Sequence, residues 1–149
     1  MSIEASLRAL AGKWAAVPAG ESANFPLYIR DLTDALGVPP PQPRGSGYEF
    51  EYPVKVMSRG GTQSTNFVDL YKEGCFVLEA KHTAEGASND ALLRAAYGQA
   101  HSYALAIPGG PPPYVLVLDV ARTLLVWDRW QGSTSLMGAE SNAILRFGS

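Results

Sequence analysis

Thiols are nearly absent from this sequence: among 149 residues, Cys75 is the single cysteine. An internal disulfide framework is therefore excluded. Histidine is almost as scarce, and Cys75 with His82 and His101 cannot supply the four ligands of a usual structural zinc site. Basic charge is not in excess either. Lys and Arg number 12 against 14 Asp and Glu, a formal net charge of −2. A free-standing, charge-driven nucleic-acid binder normally carries a basic face, so that class is disfavoured. No apolar run approaches the roughly 20 residues that cross a bilayer. The segment Met1 to Trp14 carries Glu4 and Arg8 and lacks an apolar core, so it does not read as a signal peptide. These absences together predict a cytoplasmic protein with no membrane partner. Internal repeats, a G-x-x-x-x-G-K-[ST] loop, a G-x-S-x-G elbow and a Cys–His nucleophile pairing are also missing.

What is present is enough for a folded core. Hydrophobic residues make up 46% and charged residues 17%, and the length suits one domain. Two proline-rich stretches, Val38 to Pro43 and Pro108 to Pro113, punctuate the chain. Proline lacks an amide N–H and disfavours helix in the residue before it, so both are loops.

Ile3 to Val17 spaces Leu7, Leu10, Ala11 and Trp14 as a helix does. Glu21 to Leu36 is a second helix ending at Gly37, with Pro26 tolerable only near its first turn. Tyr48 to Met57 alternates, placing Tyr48, Phe50, Tyr52, Val54 and Val56 on one face of a strand. A turn at Ser58 to Gly61 leads to a strand over Thr65 to Tyr71. The loop Lys72-Glu73-Gly74 then leads to a strand over Cys75 to His82. Asn89 to Ile107 is a long alanine-rich helix capped by Ser88 or Asn89. Tyr114 to Val120 is apolar almost throughout, the mark of a strand buried on both faces. Arg122 to Trp130 is the last strand, and the tail from Gln131 carries weak signals. The order α-α-β-β-β-α-β-β predicts an α/β layered domain with a mixed central sheet.

Chemistry concentrates on one hairpin. Glu79 and Lys81 are two residues apart on a strand and so share a face. With a three-residue loop, Tyr71 pairs with Cys75, and Asp69 lies one diagonal step from Glu79. Two carboxylates and an ammonium then converge on one patch. Hard carboxylate oxygens hold Mg²⁺, which lowers the pKa of a bound water and polarises a phosphoryl group. Lysine stabilises charge in the transition state. The backbone carbonyl of Ala80 lies between the two. On the long helix, Gln99 and Tyr103 sit at i and i+4, a polar pair on one face. Taken alone, an E-x-K triplet is a solvated charge pair on an edge strand, and a Q-x-x-x-Y pair is a half-buried polar contact. Their succession behind Asp69 points to a site.

Asp69, Glu79-Ala80-Lys81 and Gln99-x-x-x-Tyr103, in α-β-β-β-α-β order, resemble the PD-(D/E)xK nuclease superfamily, with the helix pair similar to its RecB-like branch. Glu21-Ser22-Ala23-Asn24-Phe25, Asp31 to Pro39, Tyr48-Glu49-Phe50-Glu51 and the spacing from Asp69 to Glu79 resemble the N-terminal domain of MmeI-like (type IIL) restriction–modification enzymes. The likeness covers roughly residues 20 to 130. It implies a restriction-endonuclease-like fold, with residues 1–45 as N-terminal helices and 46–149 as the catalytic core of one domain.

The resemblance also implies roles. Asp69, Glu79 and the Ala80 carbonyl would hold Mg²⁺, with Mn²⁺ able to substitute, and Glu21 is a further candidate ligand. Lys81, Gln99 and Tyr103 join Asp69 and Glu79 as catalytic residues. The expected activity is Mg²⁺-dependent cleavage of double-stranded DNA within a larger protein. Fused or associated methyltransferase and target-recognition domains would use S-adenosylmethionine and choose the sequence. Separately from the resemblance, a single site per chain points to transient pairing of two copies when both strands are cut. The chain shows no methyltransferase motif of its own. The "PD" proline is replaced by Val68, and His82 stands where the family often has serine. Two other readings stay open at this stage: a stand-alone structure-selective nuclease, and a nuclease fold kept as a binding module. Arg59-Gly60-Gly61 could meet a phosphate through backbone amides or simply make a hairpin turn. Arg94 and His101 read as a helix surface, and Trp14, Trp127 and Trp130 as core aromatics.

Overall fold

The computed structural model of the protein describes residues 2–18, 21–83, 90–128 and 143–146. Helix α1 is Ile3–Trp14, with the Ser2 hydroxyl accepting from the Ala5 amide at 3.1 Å as its N-cap. It stops three residues earlier than the spacing predicts, ahead of Pro18. Helix α2 is Glu21–Leu36 and ends, as expected, at Gly37 with a φ of 72°. Pro26 lies at the sixth helical position rather than in the first turn. Its missing N–H removes one bond near the amino end, where few bonds precede it.

The sheet has six strands among the described residues, in the order β1-β2-β3-β4-β5-β6. These are β1 Tyr48–Met57, β2 Gln63–Lys72, β3 Phe76–Lys81, β4 Tyr114–Asp119, β5 Thr123–Asp128 and β6 Ala143–Arg146. All neighbours are antiparallel except β3 and β4, which are parallel and joined through helix α3, Asp90–Leu105. The sheet is mixed, as the order of elements predicts. β6 lies in the tail that the sequence leaves without an element. The predicted caps Ser88 and Asn89, and Trp130, lie outside the described residues.

Two cores cover the sheet. On one face α3 packs Leu93, Ala96, Tyr97, Ala100, Tyr103 and Ala104 against Val77, Val115, Val117 and Trp127. On the other, α1 and α2 pack Leu10, Trp14, Phe25, Tyr28, Ile29 and Leu32 against Leu70, Leu78, Ala80, Leu118 and Val120. Trp14 and Trp127 are core residues, as expected. β4 is covered on both faces, and Val115, Val117 and Leu118 are wholly buried. Each such side chain contributes about 1.5–3 kcal/mol when taken from water.

The hairpin of β1 and β2 departs from the expected pattern. Tyr48 and Phe50 face the α1/α2 core, whereas Tyr52, Val54 and Val56 face the α3 core. β2 does the same, with Leu70 on the first side and Val68 on the second. Both strands therefore turn over between positions 50 and 52 and between 68 and 70. The backbone cause is at Glu51, which adopts a φ of 52° that L-residues avoid. Pairing skips this residue, running from Phe50↔Leu70 to Tyr52↔Val68.

The β2–β3 register also differs. Tyr71 pairs with Val77 rather than Cys75, so the three-residue loop is Glu73-Gly74-Cys75. Gly74 takes a φ of 69°, and the Cys75 amide closes the turn on the Lys72 carbonyl at 3.0 Å. Placing the glycine in the middle of the loop satisfies both the left-handed residue and the turn bond.

Candidate active site

β3 alternates between the two cores. Leu78 and Ala80 belong to the α1/α2 side, and Val77 to the α3 side. Glu79 and Lys81 therefore point toward α3, on one face as expected. The corrected register brings Asp69 directly opposite Glu79, one step beyond the last ladder pair Leu70↔Leu78.

At that step the ladder opens. The Ala80 amide donates to the Asp69 carboxylate at 2.8 Å instead of to a β2 carbonyl. The Asp69 amide lies 3.4 Å from a Glu79 carboxylate oxygen. A residue's N–H and C=O leave a strand on the same side. The Ala80 carbonyl is thus turned toward the same opening.

The electrostatics are unusual for a strand. Glu79 is only 3% exposed. Burial pushes its carboxyl up from an ordinary 4.5 to about 9, and the neighbouring Asp69 charge adds to the shift. Lys81 offsets part of this. A buried carboxylate, a half-buried one opposite it and a half-buried ammonium two residues on make a set that favours a divalent cation. A cation's charge would release the proton that burial holds on Glu79. Mg²⁺ commonly uses one or two protein carboxylates and keeps several waters, so Asp69, Glu79 and the Ala80 carbonyl are an adequate donor set. The described residues contain no cluster of three or more His, Cys, Asp or Glu side chains arranged for a metal. The side chain of Glu21 lies outside the described residues.

Gln99 and Tyr103 are brought together as predicted: the Gln99 amide donates to the Tyr103 hydroxyl at 2.7 Å. Tyr103 is buried in the same core as Tyr71 and Val77, while Gln99 is exposed. Their bond fixes a polar rung on the helix that covers the Glu79 face. Arg94 is exposed, and the His101 ring lies 5.8 Å from that of Tyr97.

Asp119 is a residue that the sequence motifs do not single out. It ends β4 beside Lys81, is fully buried, and accepts two bonds from Thr83: amide at 3.0 Å, hydroxyl at 2.7 Å. Arg122 donates to the same hydroxyl at 3.1 Å, and the Val120 amide donates to the Lys81 carbonyl at 2.7 Å. The chain is therefore clamped on both sides of His82 as it leaves the site. The available signal was a lone acid closing the apolar run Tyr114 to Val120, at the carboxyl end of a central strand.

Compared with known families, the MmeI N-terminal domain matches residues 4–141. The chain belongs to the MmeI N-terminal domain family. The match takes in both helices, the opened hairpin and the clamp at Asp119. No curated protein and no solved structure matches the chain. Membership in the MmeI N-terminal domain family places it in a restriction–modification context. Among the described residues, no helix is long and apolar enough to cross a membrane.

Proposed function

We propose that this MmeI N-terminal domain is a metal-dependent DNA endonuclease of PD-(D/E)xK type, the cleavage module of a restriction–modification enzyme. The observation that carries the reading is the reciprocal arrangement of Asp69 and Glu79 at the opened ladder, with Lys81 next on the same face. Structural strands have little reason to bury one carboxylate against a second, half-buried one at the cost of backbone bonds.

Asp69, Glu79 and the Ala80 carbonyl would hold Mg²⁺, or Mn²⁺ in its place. When bound, the ion supplies a water of lowered pKa and positive charge at the phosphoryl group. The chain's own residues do the rest. Lys81 donates a hydrogen bond to a phosphate oxygen and balances the charge that grows there. The clamp at Asp119 and Thr83 holds the strand that carries it. The Gln99–Tyr103 rung fixes the helix that closes the face. Double-stranded DNA is the substrate. Target choice belongs to methyltransferase and recognition domains fused to or associated with this one. S-adenosylmethionine is used there and not here. Cutting both strands with one such site per chain calls for two copies.

Calorimetric titration with Mn²⁺ tests the metal assignment. Wild type is expected to bind and Asp69→Ala to lose binding. Equal binding by both proteins, or none by wild type, overturns it.

A further inference from the structure

The turnover at Glu51 and Asp69 has a geometric consequence. β2 pairs with β3 only through Leu70, Tyr71 and Lys72, whereas its pairing with β1 continues out to Met57↔Gln63. Residues 52–68 thus form a two-stranded arm that leaves the sheet at the candidate site. At about 3.3 Å per residue, its tip reaches roughly 20 Å from Asp69. Tyr52, Val54, Val56 and Val68 anchor one face of the arm in the α3 core. The opposite face is open: Pro53, Lys55 and Thr65 are exposed, with Met57 at 61% and Phe67 at 51%. Ser58 to Thr62 at the tip are exposed as well.

The composition of the arm is as marked as its shape. Lys55 and Arg59 are its charged side chains, and between residues 52 and 68 there is no Asp or Glu. This holds although acids outnumber bases in the whole chain. Ser58, Thr62, Gln63 and Thr65 add a run of hydrogen-bonding groups at the tip and on the open face, whereas Ser64 and Asn66, opposite Val56 and Val54, lie on the α3 side. Gly61, with a φ of 80°, closes the tip through its amide on the Ser58 carbonyl at 3.0 Å, so that Arg59 is presented on a tight turn.

We propose that this arm contacts duplex DNA, lying along a groove beside the phosphodiester bond presented to Asp69, Glu79 and Lys81. A two-stranded ribbon fits the major groove, which is about 12 Å wide. A reach of roughly 20 Å spans about six base-pair steps at 3.4 Å each. Lys55 and Arg59 neutralise phosphates, the polar run meets phosphate and base edges, and Phe67 and Met57 touch sugar or thymine methyl groups. The inference rests on the nuclease reading for its substrate, but the arm acts without metal.

Binding of the whole chain to a fluorescent duplex is therefore measured in EDTA across a salt series. The double variant Lys55→Ala/Arg59→Ala is expected to bind at least about tenfold more weakly. The slope of log affinity against log salt should fall by about 1.8, at roughly 0.9 for each phosphate no longer neutralised. Arg8→Ala, on the exposed face of α1, should leave the slope unchanged, and circular dichroism confirms that each variant is folded. Wild-type chain that binds no duplex overturns the inference. So does a double variant with wild-type affinity and slope, as a protein-docking arm would give. The nuclease reading is judged separately, by cleavage in Mg²⁺ with Lys81→Ala, so either can fail while the other stands.

Discussion

Asp69 and Glu79 each reach across the opened ladder: the Asp69 carboxylate takes the Ala80 amide at 2.8 Å, and a Glu79 oxygen lies 3.4 Å from the Asp69 amide. Side chains thus stand where strand-to-strand bonds would otherwise run. The sheet gives up ladder pairs to hold two carboxylates face to face, one of them buried.

That arrangement makes stability depend on pH in a direction opposite to the common one for carboxylates. Without metal, Glu79 keeps its proton in the folded chain up to about pH 9, while the unfolded chain loses it near its ordinary 4.5. Below that value both states are protonated and nothing is lost. Between the two values the unfolded state binds fewer protons, so stability falls as pH rises. The ceiling is about 1.4 kcal/mol per pH unit for one group. In EDTA, Tm should decline from pH 5 to pH 8, and Glu79→Gln should flatten the decline. A wild-type Tm that rises over this range contradicts the assignment.

The clamp beyond Lys81 gives a second expectation. Thr83→Val removes a hydroxyl that donates to buried Asp119 at 2.7 Å and accepts from Arg122. Losing a bond to a charged group costs about 1.5–3 kcal/mol. If the clamp positions Lys81, kcat for DNA cleavage falls several-fold while KM holds, and Thr83→Ser restores it. Loss of stability with unchanged kcat would assign the clamp to folding alone.

Glu51 offers a test of the turnover. Its φ of 52° costs an L-residue roughly 1–2 kcal/mol, and a β-branched side chain more. Glu51→Gly should keep or raise Tm, and Glu51→Val should lower stability by about 1–2 kcal/mol in denaturant melts. Equal losses from both substitutions would show that the backbone is not in this region.

Much of the fold was legible because period and punctuation agreed. The α3 spacing, a strand within the apolar run Tyr114 to Val120 (found over Tyr114–Asp119, its centre covered on both faces) and the glycine at position 37 all fall where periodicity and capping put them. The face assignment of β1 was not legible. Alternation assumes an unbroken strand, and a left-handed glutamate leaves no mark in the pattern. The hairpin register failed by two residues because Gly74 fits either loop placement. That Asp69, Glu79 and Lys81 gather on one face was legible from strand spacing and motif, while Asp119 was hidden because one acid at a strand end also reads as the start of a turn.

The most direct test is plasmid cleavage in Mg²⁺ by the wild-type chain and by Lys81→Ala, with matched circular dichroism spectra and matched DNA binding. Removing one preorganised group that stabilises charge typically costs about 10²–10³ in rate. Wild type is expected to nick or linearise the plasmid and to stop on addition of EDTA, and Lys81→Ala to be slower by at least about a hundredfold. Cleavage by Lys81→Ala at the wild-type rate would contradict the assignment of this site.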